Sequence, residues 1–194
     1  MRRLVSLLLP LLVAVPAWAG TWKIDPAHTA VGFSIRHMMV SNVRGTFGTV
    51  DGTVTGDPAK PLEAAIAVTI DARSIDTQNQ KRDDHLRSPD FLDVARYPTI
   101  TFRSTKIEPA GEGAFRVTGD LTLHGTTKPV VVEVSDLTPP IKDPFGNTRA
   151  GAHATTKIDR KAFGVDYSKL MDNGGLVVGD EVTISVDVEA TLAP

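Results

Sequence analysis

The sequence predicts an all-β fold. Three observations predict it: a hydrophobic period of two that recurs from residue 28 to residue 192, turn signals between most of those runs, and no sustained helical period. Residues alternating in this way give a strand one apolar and one wet face, the pattern of antiparallel sheet.

The chain of 194 residues begins with Met1-Arg2-Arg3, a basic start, followed by uncharged Leu4 to Pro16 and then Ala17-Trp18-Ala19. Small residues at 17 and 19 suit a signal peptidase, so residues 1–19 are read as a cleaved export segment with Gly20 as the first mature residue. An apolar stretch of about thirteen residues falls short of the roughly twenty that a membrane span needs. Residues 20–194 are read as one domain, large enough to bury a core or to enclose a cavity. Without Arg2 and Arg3 the 21 basic residues become 19 against 23 acidic ones, a net charge of −4. That balance, with no basic run, argues against nucleic acid as a partner. Cysteine is absent, which excludes disulfides, thiol chemistry, cysteine-ligated metals and a lipid-attachment cysteine.

Eight strands are expected, over residues 28–38, 43–56, 64–75, 99–108, 114–124, 128–137, 149–159 and 180–192. In the first, Val31, Phe33 and Ile35 alternate with Gly32, Ser34 and Arg36; in the third, Ile66, Val68 and Ile70 alternate with Ala67, Thr69 and Asp71. Ile100 and Phe102 repeat the pattern, as do Val117, Leu121 and Leu123 with Gly119 between them. The clearest set is the last, where Val182, Ile184, Val186 and Val188 alternate with Thr183, Ser185, Asp187 and Glu189. Val130, Val132 and Val134 form a shorter set and Ala150 to Ile158 a weaker one. Gly56-Asp57-Pro58, Gly111-Glu112-Gly113, Pro139-Pro140 and Asn173-Gly174-Gly175 punctuate the runs. Thr77 to Ala95 lacks alternation and is read as one or two short helices, the second starting at Ser88-Pro89-Asp90. Arg160 to Phe163 is a further short helical candidate.

Eight antiparallel strands of this length suit a closed barrel, since closure removes the exposed edges of a long meander. Such a barrel is filled by side chains or holds one slender ligand. The small residues Gly32, Ala65, Ala67, Gly119, Ala150, Ala152 and Ala154 are placed on the inner face and would leave room. Glycines in strands also mark bulges, so pattern alone leaves both interiors open.

Motifs in order carry a resemblance. They are Trp22-Lys23-Ile24-Asp25-Pro26-Ala27-His28, Val31-Gly32-Phe33-Ser34-Ile35-Arg36-His37-Met38 and Arg44-Gly45-Thr46-Phe47. Ser74-Ile75-Asp76-Thr77, Arg82-Asp83-Asp84-His85-Leu86 and Asp90-Phe91-Leu92-Asp93-Val94 follow, leading to Tyr97-Pro98-Thr99-Ile100-Thr101-Phe102. Gly119-Asp120-Leu121-Thr122-Leu123-His124-Gly125 and Ile158-Asp159-Arg160-Lys161-Ala162-Phe163-Gly164 complete the set. Each piece is weak alone; together they span the chain after residue 20, which resembles the YceI-like family. The resemblance implies an eight-stranded antiparallel lipocalin-like barrel with one or two short helices, exported to the periplasm. It also implies an apolar tunnel for a polyisoprenoid, a quinone-like molecule or a similar long-chain lipid, and no catalytic residues or cofactor. The ligand would be held by Val31, Phe33, Ile35, His37, Phe47, Ile66, Val68, Ile70, Phe91, Phe102, Leu121, Val182, Ile184 and Val186. A one-residue slip in any strand would turn its whole set outward. A membrane redox or lipid-handling protein is the expected partner, and the oligomeric state, a dimer included, is left open.

Polar residues are read against that frame. None of His28, His37, His85, His124 and His153 falls in a zinc-type spacing, so no metal is expected; no GxSxG or SxxK motif marks a nucleophile. Arg82, Asp83 and His85 are read either as contacts to a polar head group or as a structural set, with Asp83 pairing with Arg82 or capping a helix. Arg160 is read as an ion-pair anchor at a strand end. Because Arg36 and His37 are neighbours, at most one is expected to face the interior. The competing function is a filled-core stress-protection or protein-interaction module, using the loop from Pro139 to Thr148 and its Phe145 as the contact.

Overall fold

The computed structural model describes residues 20–172 and 174–194; the expected export segment, residues 1–19, lies outside them. Among the described residues twelve strands are formed: β1 (Gly20–Ile24), β2 (Ala30–His37), β3 (Ser41–Phe47), β4 (Val50–Gly56), β5 (Ala65–Asp71), β6 (Ile75–Asp76), β7 (Thr99–Gly111), β8 (Ala114–Leu123), β9 (Thr126–Ser135), β10 (Ile141–Lys142), β11 (Thr148–Asp159) and β12 (Val178–Leu192). One α-helix, α1 (Gln80–Arg87), stands among the described residues.

Eight of these strands close an antiparallel barrel in the order β11-β9-β8-β7-β5-β4-β1-β12, with β12 returning to β11. Closure gives each of these strands a partner on both edges. The 15-residue β12 makes this possible: one edge runs along β11, and the other serves β1 near Ala190 and β2 from Val178 to Asp187. The ribbon β2-β3-β6 therefore extends the wall beside α1, at the end where β12 begins.

The register carries one inner face around the ring. Ile184 stands between Phe33 and Thr156, and Val186 between Val31 and Ala154. Leu121 pairs with Phe102, Phe102 with Val68, Ile66 with Val54, and Val54 with Trp22. Ile66, Val68 and Ile70 hold the inner positions of β5, so Ala65 and Ala67 face outward, contrary to the expectation for them. Ala67 borders a shallow outer groove with Asp51, Thr53 and Arg103.

Four local features depart from the sequence reading. Strand β1 was not anticipated, although Trp22 and Ile24 alternate inward against Thr21 and Lys23; its five residues are too few to display a period. The strand expected over 43–56 is broken at Gly48-Thr49, whose backbone N–H groups donate to the Ser74 carbonyl (3.2 Å) and to Ser74 Oγ (3.1 Å). Strand β7 carries a bulge between Ser104 and Lys106, which turns Ile107 inward opposite Val117. The helix expected to start at Ser88 does not form. Ser88 instead ends α1, and its carbonyl accepts from the N–H groups of both Phe91 and Asp93, closing a pair of turns (3.1 and 3.0 Å).

Capping accounts for the short elements that do form. Asn79 Oδ1 accepts from the Arg82 N–H at the start of α1 (3.0 Å). The turn at Arg160–Phe163 is 3₁₀; Asp159 accepts from the Lys161 N–H, and Gly164 ends it at φ 80°. Ala72, Ile100, Leu121, Leu123, Ile158 and Phe163 pack together at the α1 end, and Ile24, Val31 and Val50 form a second cluster.

Candidate functional site: the barrel cavity

The barrel is not filled. Its inner face encloses a cavity of about 600 Å³ walled almost wholly by carbon. Space arises where small residues meet large ones. On β11, Ala150, Ala152 and Ala154 face Ala190, Val188 and Val186 across the ladder, so one stretch of wall is thin. Two of the cavity-lining rings lie over glycines: Phe33 over Gly45 and Phe102 over Gly119, where a Cβ would collide with each ring. Without those glycines the rings would be displaced into the cavity.

All fourteen residues expected to face a ligand line this cavity: Val31, Phe33, Ile35 and His37 of β2, Phe47 of β3, Ile66, Val68 and Ile70 of β5, Phe91 after α1, Phe102 of β7, Leu121 of β8, and Val182, Ile184 and Val186 of β12. The wall also includes residues the sequence reading did not assign. Val130, Val132 and Val134 of β9 line it, and their alternation was sufficient to find them. Trp22, Ile107, Phe115 and Tyr167 line it too; the first needed β1, the second needed the bulge, and Tyr167 lies in a loop without any period. Arg36 and His37 both border the cavity, correcting the expectation that at most one would. The register of β2 against β12 shifts between Val178 and Val182, so strict alternation does not hold there.

Polar groups gather at the α1 end, and Arg82, Thr77, Asp83, His85 and Arg160 are bonded within the protein. Arg82 Nε donates to Thr77 Oγ1 (2.7 Å) and its Nη2 to the Thr77 carbonyl (2.8 Å). Thr77 is buried, and its N–H and hydroxyl both donate to Asp83 Oδ1. Asp83 and Arg82 thus meet on Thr77 and neither makes the expected pair nor caps the helix. Burial raises the Asp83 carboxyl, but the Thr77 bonds and the nearby Arg87 and Arg82 charges outweigh it, so the group is held below its ordinary range. His85 stands edge-on to both Phe91 and Tyr167, at 5.0 and 5.1 Å between ring centres, with Nε2 at 2.8 Å from Asp90 Oδ2. The Arg160 guanidinium is buried and donates to the carbonyls of Gly179 (2.8 Å) and Val165 (2.6 Å) and to Asp180 Oδ1 (3.1 Å), acting as the anchor expected of it.

A second ionic cluster ties the start of β11 to neighbouring elements. Asp25, His28 and Glu189 bring ligand-type atoms within 4.8 Å of one another, but Arg149 supplies the positive charge there. It donates to Asp25 Oδ2 and Asp143 Oδ2, both at 2.7 Å, and to Glu189. The Arg149 guanidinium, with help from His28, lowers Asp25 to about 2, and Arg149 with Asn147 holds Asp143 lower still. Phe145, on the neighbouring loop, is 88 % exposed.

This arrangement can take apolar surface out of water, since most of its lining is hydrocarbon. The histidines that hydrogen-bond through their rings do so to carboxylates: His28 to Asp25, His85 to Asp90, and His153 to Asp187.

Comparison with known proteins agrees with this architecture. The YceI-like domain model matches residues 22–190. A UPF0312 protein of Vibrio cholerae is 38 % identical over 168 residues, covering 84 % of this chain and 88 % of the relative. The crystal structure of Burkholderia cenocepacia BcnA superposes with a TM-score of 0.76 at 30 % identity, over 87 % of this chain and 99 % of that one. A polyisoprenoid binding domain from Saccharophagus degradans, implicated in plant cell wall breakdown, shares the fold at 13 % identity, with a TM-score of 0.64 over 89 % of this chain and 98 % of that one. By sequence and by fold, this chain belongs to the YceI-like domain family.

Proposed function

We propose that this chain is a binding protein that holds and carries a long-chain isoprenoid or similar amphiphilic lipid in its barrel cavity, in the periplasm. The observation that carries the reading is the cavity itself: hydrocarbon contributed by strands all around the barrel, with the charged side chains that border it at its ends. The polyisoprenoid-binding domain from Saccharophagus degradans, built on the same fold, supports the ligand class. The periplasmic location rests on Arg2-Arg3, the apolar run after them, and the small residues Ala17 and Ala19.

Each buried CH₂ of such a chain is worth about 0.8 kcal/mol. Ordering a flexible ligand and losing its translational freedom consume much of that gain. Burial has little direction, so length and girth are selected more sharply than the head group. The bound lipid would be passed to a membrane redox or lipid-handling protein.

The test is gentle purification of the exported protein, solvent extraction and mass spectrometry, on the wild type and two variants. Ala154→Trp fills the cavity opposite Val134 and Val186, and should lose the lipid while remaining folded. Ala67→Leu, on the outer face, should retain it. Repeated recovery of an empty wild-type barrel that takes up no added prenyl chain would falsify the reading.

A further inference from the structure

Half of the large apolar side chains exposed among the described residues stand together at the α1 end: Met38, Met39, Val40 and Leu170, from 42 to 77 % exposed. They sit on two hairpins joined edge to edge. The first is the β2–β3 turn, closed by the Val40 N–H donating to the His37 carbonyl (3.1 Å). The second spans residues 169–177, with Leu170 bridged to Leu176. The Met38 N–H donates to the Val177 carbonyl (2.8 Å) and the Val177 N–H to the Lys169 carbonyl (2.9 Å), so the two tips project side by side. Met38 and Met39 take φ 49° and 60°, the left-handed pair of a hairpin turn that asparagine and glycine fill at least cost. Apolar side chains therefore stand at this tip against the preference of its backbone. All three methionines of residues 20–194 lie on the two hairpins, Met171 being the third.

Charge selects what these tips meet. Residues 36–44 and 169–177 carry Arg36, Arg44 and Lys169 against Asp172 alone. None of the three cations forms an ion pair among the described residues; Arg36 instead donates to the Met39 carbonyl (3.0 Å) and to Asn42 Oδ1 (3.4 Å). At the opposite end the exposed Ile141 and Phe145 stand beside Asp25, Asp143 and Glu189, with Arg149 and Lys142 as the cations. That balance repels an anionic surface, whereas the hairpins attract one. Arg36, His37, Val177 and Val178 also border the cavity, so the hairpins stand at its rim. We propose that the two hairpins dock this chain on an anionic lipid bilayer. Met38, Met39, Val40 and Leu170 enter the acyl boundary, while Arg36 and Lys169 stay at the level of the lipid phosphates. Apolar burial and attraction to anionic head groups act together in such a contact, and flexible thioether side chains suit a surface of no fixed shape. The contact rests on the hairpins; its use, bringing the cavity rim to the membrane that supplies or receives the cargo, rests on the carrier reading.

The experiment is flotation of the exported protein, residues 20–194, with vesicles of phosphatidylethanolamine and phosphatidylglycerol or of phosphatidylcholine alone. The wild type should partition at least about 10-fold more strongly onto the anionic vesicles and lose that preference in high salt. Lys169→Gln should weaken anionic-vesicle binding about 5-fold. Met38→Asn combined with Met39→Gly supplies what the turn prefers, so the thermal midpoint should stay or rise. Binding by this double variant should nevertheless fall at least about 10-fold, through the loss of two apolar side chains. Phe145→Ser, at the other end, should bind as the wild type does. Wild-type binding that is absent, or equal on both vesicles, overturns the docking surface, and so does a double variant that binds unchanged. A dimer lost in the double variant, with no vesicle binding, also overturns it and assigns the patch to a second copy of this chain. Each of these failures leaves the carrier reading standing, since recovery of lipid from the purified protein decides that reading separately.

Discussion

Phe102 occupies the space into which a side chain at Gly119 would grow. A Cβ there would overlap the ring at Cζ and stand 2.5 Å from the Arg103 carbonyl oxygen. Phe102 also pairs with Leu121 on β8 and Val68 on β5, so its ring position is shared by three strands of the cavity wall.

Gly119→Ala should therefore destabilise the barrel by about 1–3 kcal/mol, the usual cost of overpacking. The Arg103 carbonyl is backbone and yields less readily than a side chain. Urea unfolding should show a lower midpoint with an unchanged slope. An unaltered midpoint would mean that the ring is free to move aside.

Thr77 joins Arg82 and Asp83, which do not pair with each other. Thr77→Val keeps the shape and removes the hydroxyl, leaving Arg82 Nε and one Asp83 lone pair unmet; a loss of about 2 kcal/mol is expected. Asp83 has a depressed folded pKa, so it stabilises the fold above its ordinary range and loses that contribution as pH falls through the lowered value. In the variant this acid loss should begin at higher pH, and amides of α1 should exchange faster. Wild-type exchange rates in α1 would refute the linkage.

Arg160 is 3 % exposed, and its planar fork is divided between two carbonyls and Asp180. A lysine presents one point charge and does not reproduce that geometry. Arg160→Ala should cost roughly 3–5 kcal/mol by leaving buried partners unmet, and Arg160→Lys should recover only part of it. Thermal melts of the two variants that coincide with the wild type would show the cluster to be dispensable.

Acid should act on Arg149 and its carboxylates at a defined place. Asp25 ordinarily titrates near 3.8 and is lowered to about 2 in the fold, chiefly by Arg149 and then by His28. A depressed carboxylate contributes in full above its unfolded value, and the contribution is lost as pH falls through the folded one. In the wild type this contribution fades between about pH 4 and pH 2. Arg149→Gln removes the cation, so acid unfolding followed by circular dichroism should begin closer to pH 4. Superimposable acid curves would disprove the assignment.

Much of the barrel was legible in the chain because alternation is local. Val182, Ile184 and Val186 declare their shared face without reference to any other strand, and so do Ile66, Val68 and Ile70. The ordered motifs then pointed to a hollow interior, and the fourteen residues chosen on that basis all line the cavity. Errors arose where a local signal was absent or misleading. Ala65 and Ala67 were drawn inward by their size, although the parity of their own strand places them outside.

What tertiary structure decided was everything that depends on a partner far along the chain. Ser74 breaks β3 from β4 by accepting from Gly48 and Thr49, the β7 bulge inverts parity at Ile107, and β12 chooses β1 and β2 for successive parts of one edge. Trp22 shows the same division. Its apolar bulk and place in an opening motif can be read from the sequence. That its N–H is left without an acceptor cannot, because hydrogen bonding is a property of the space around a group, and that space is made only when the barrel closes.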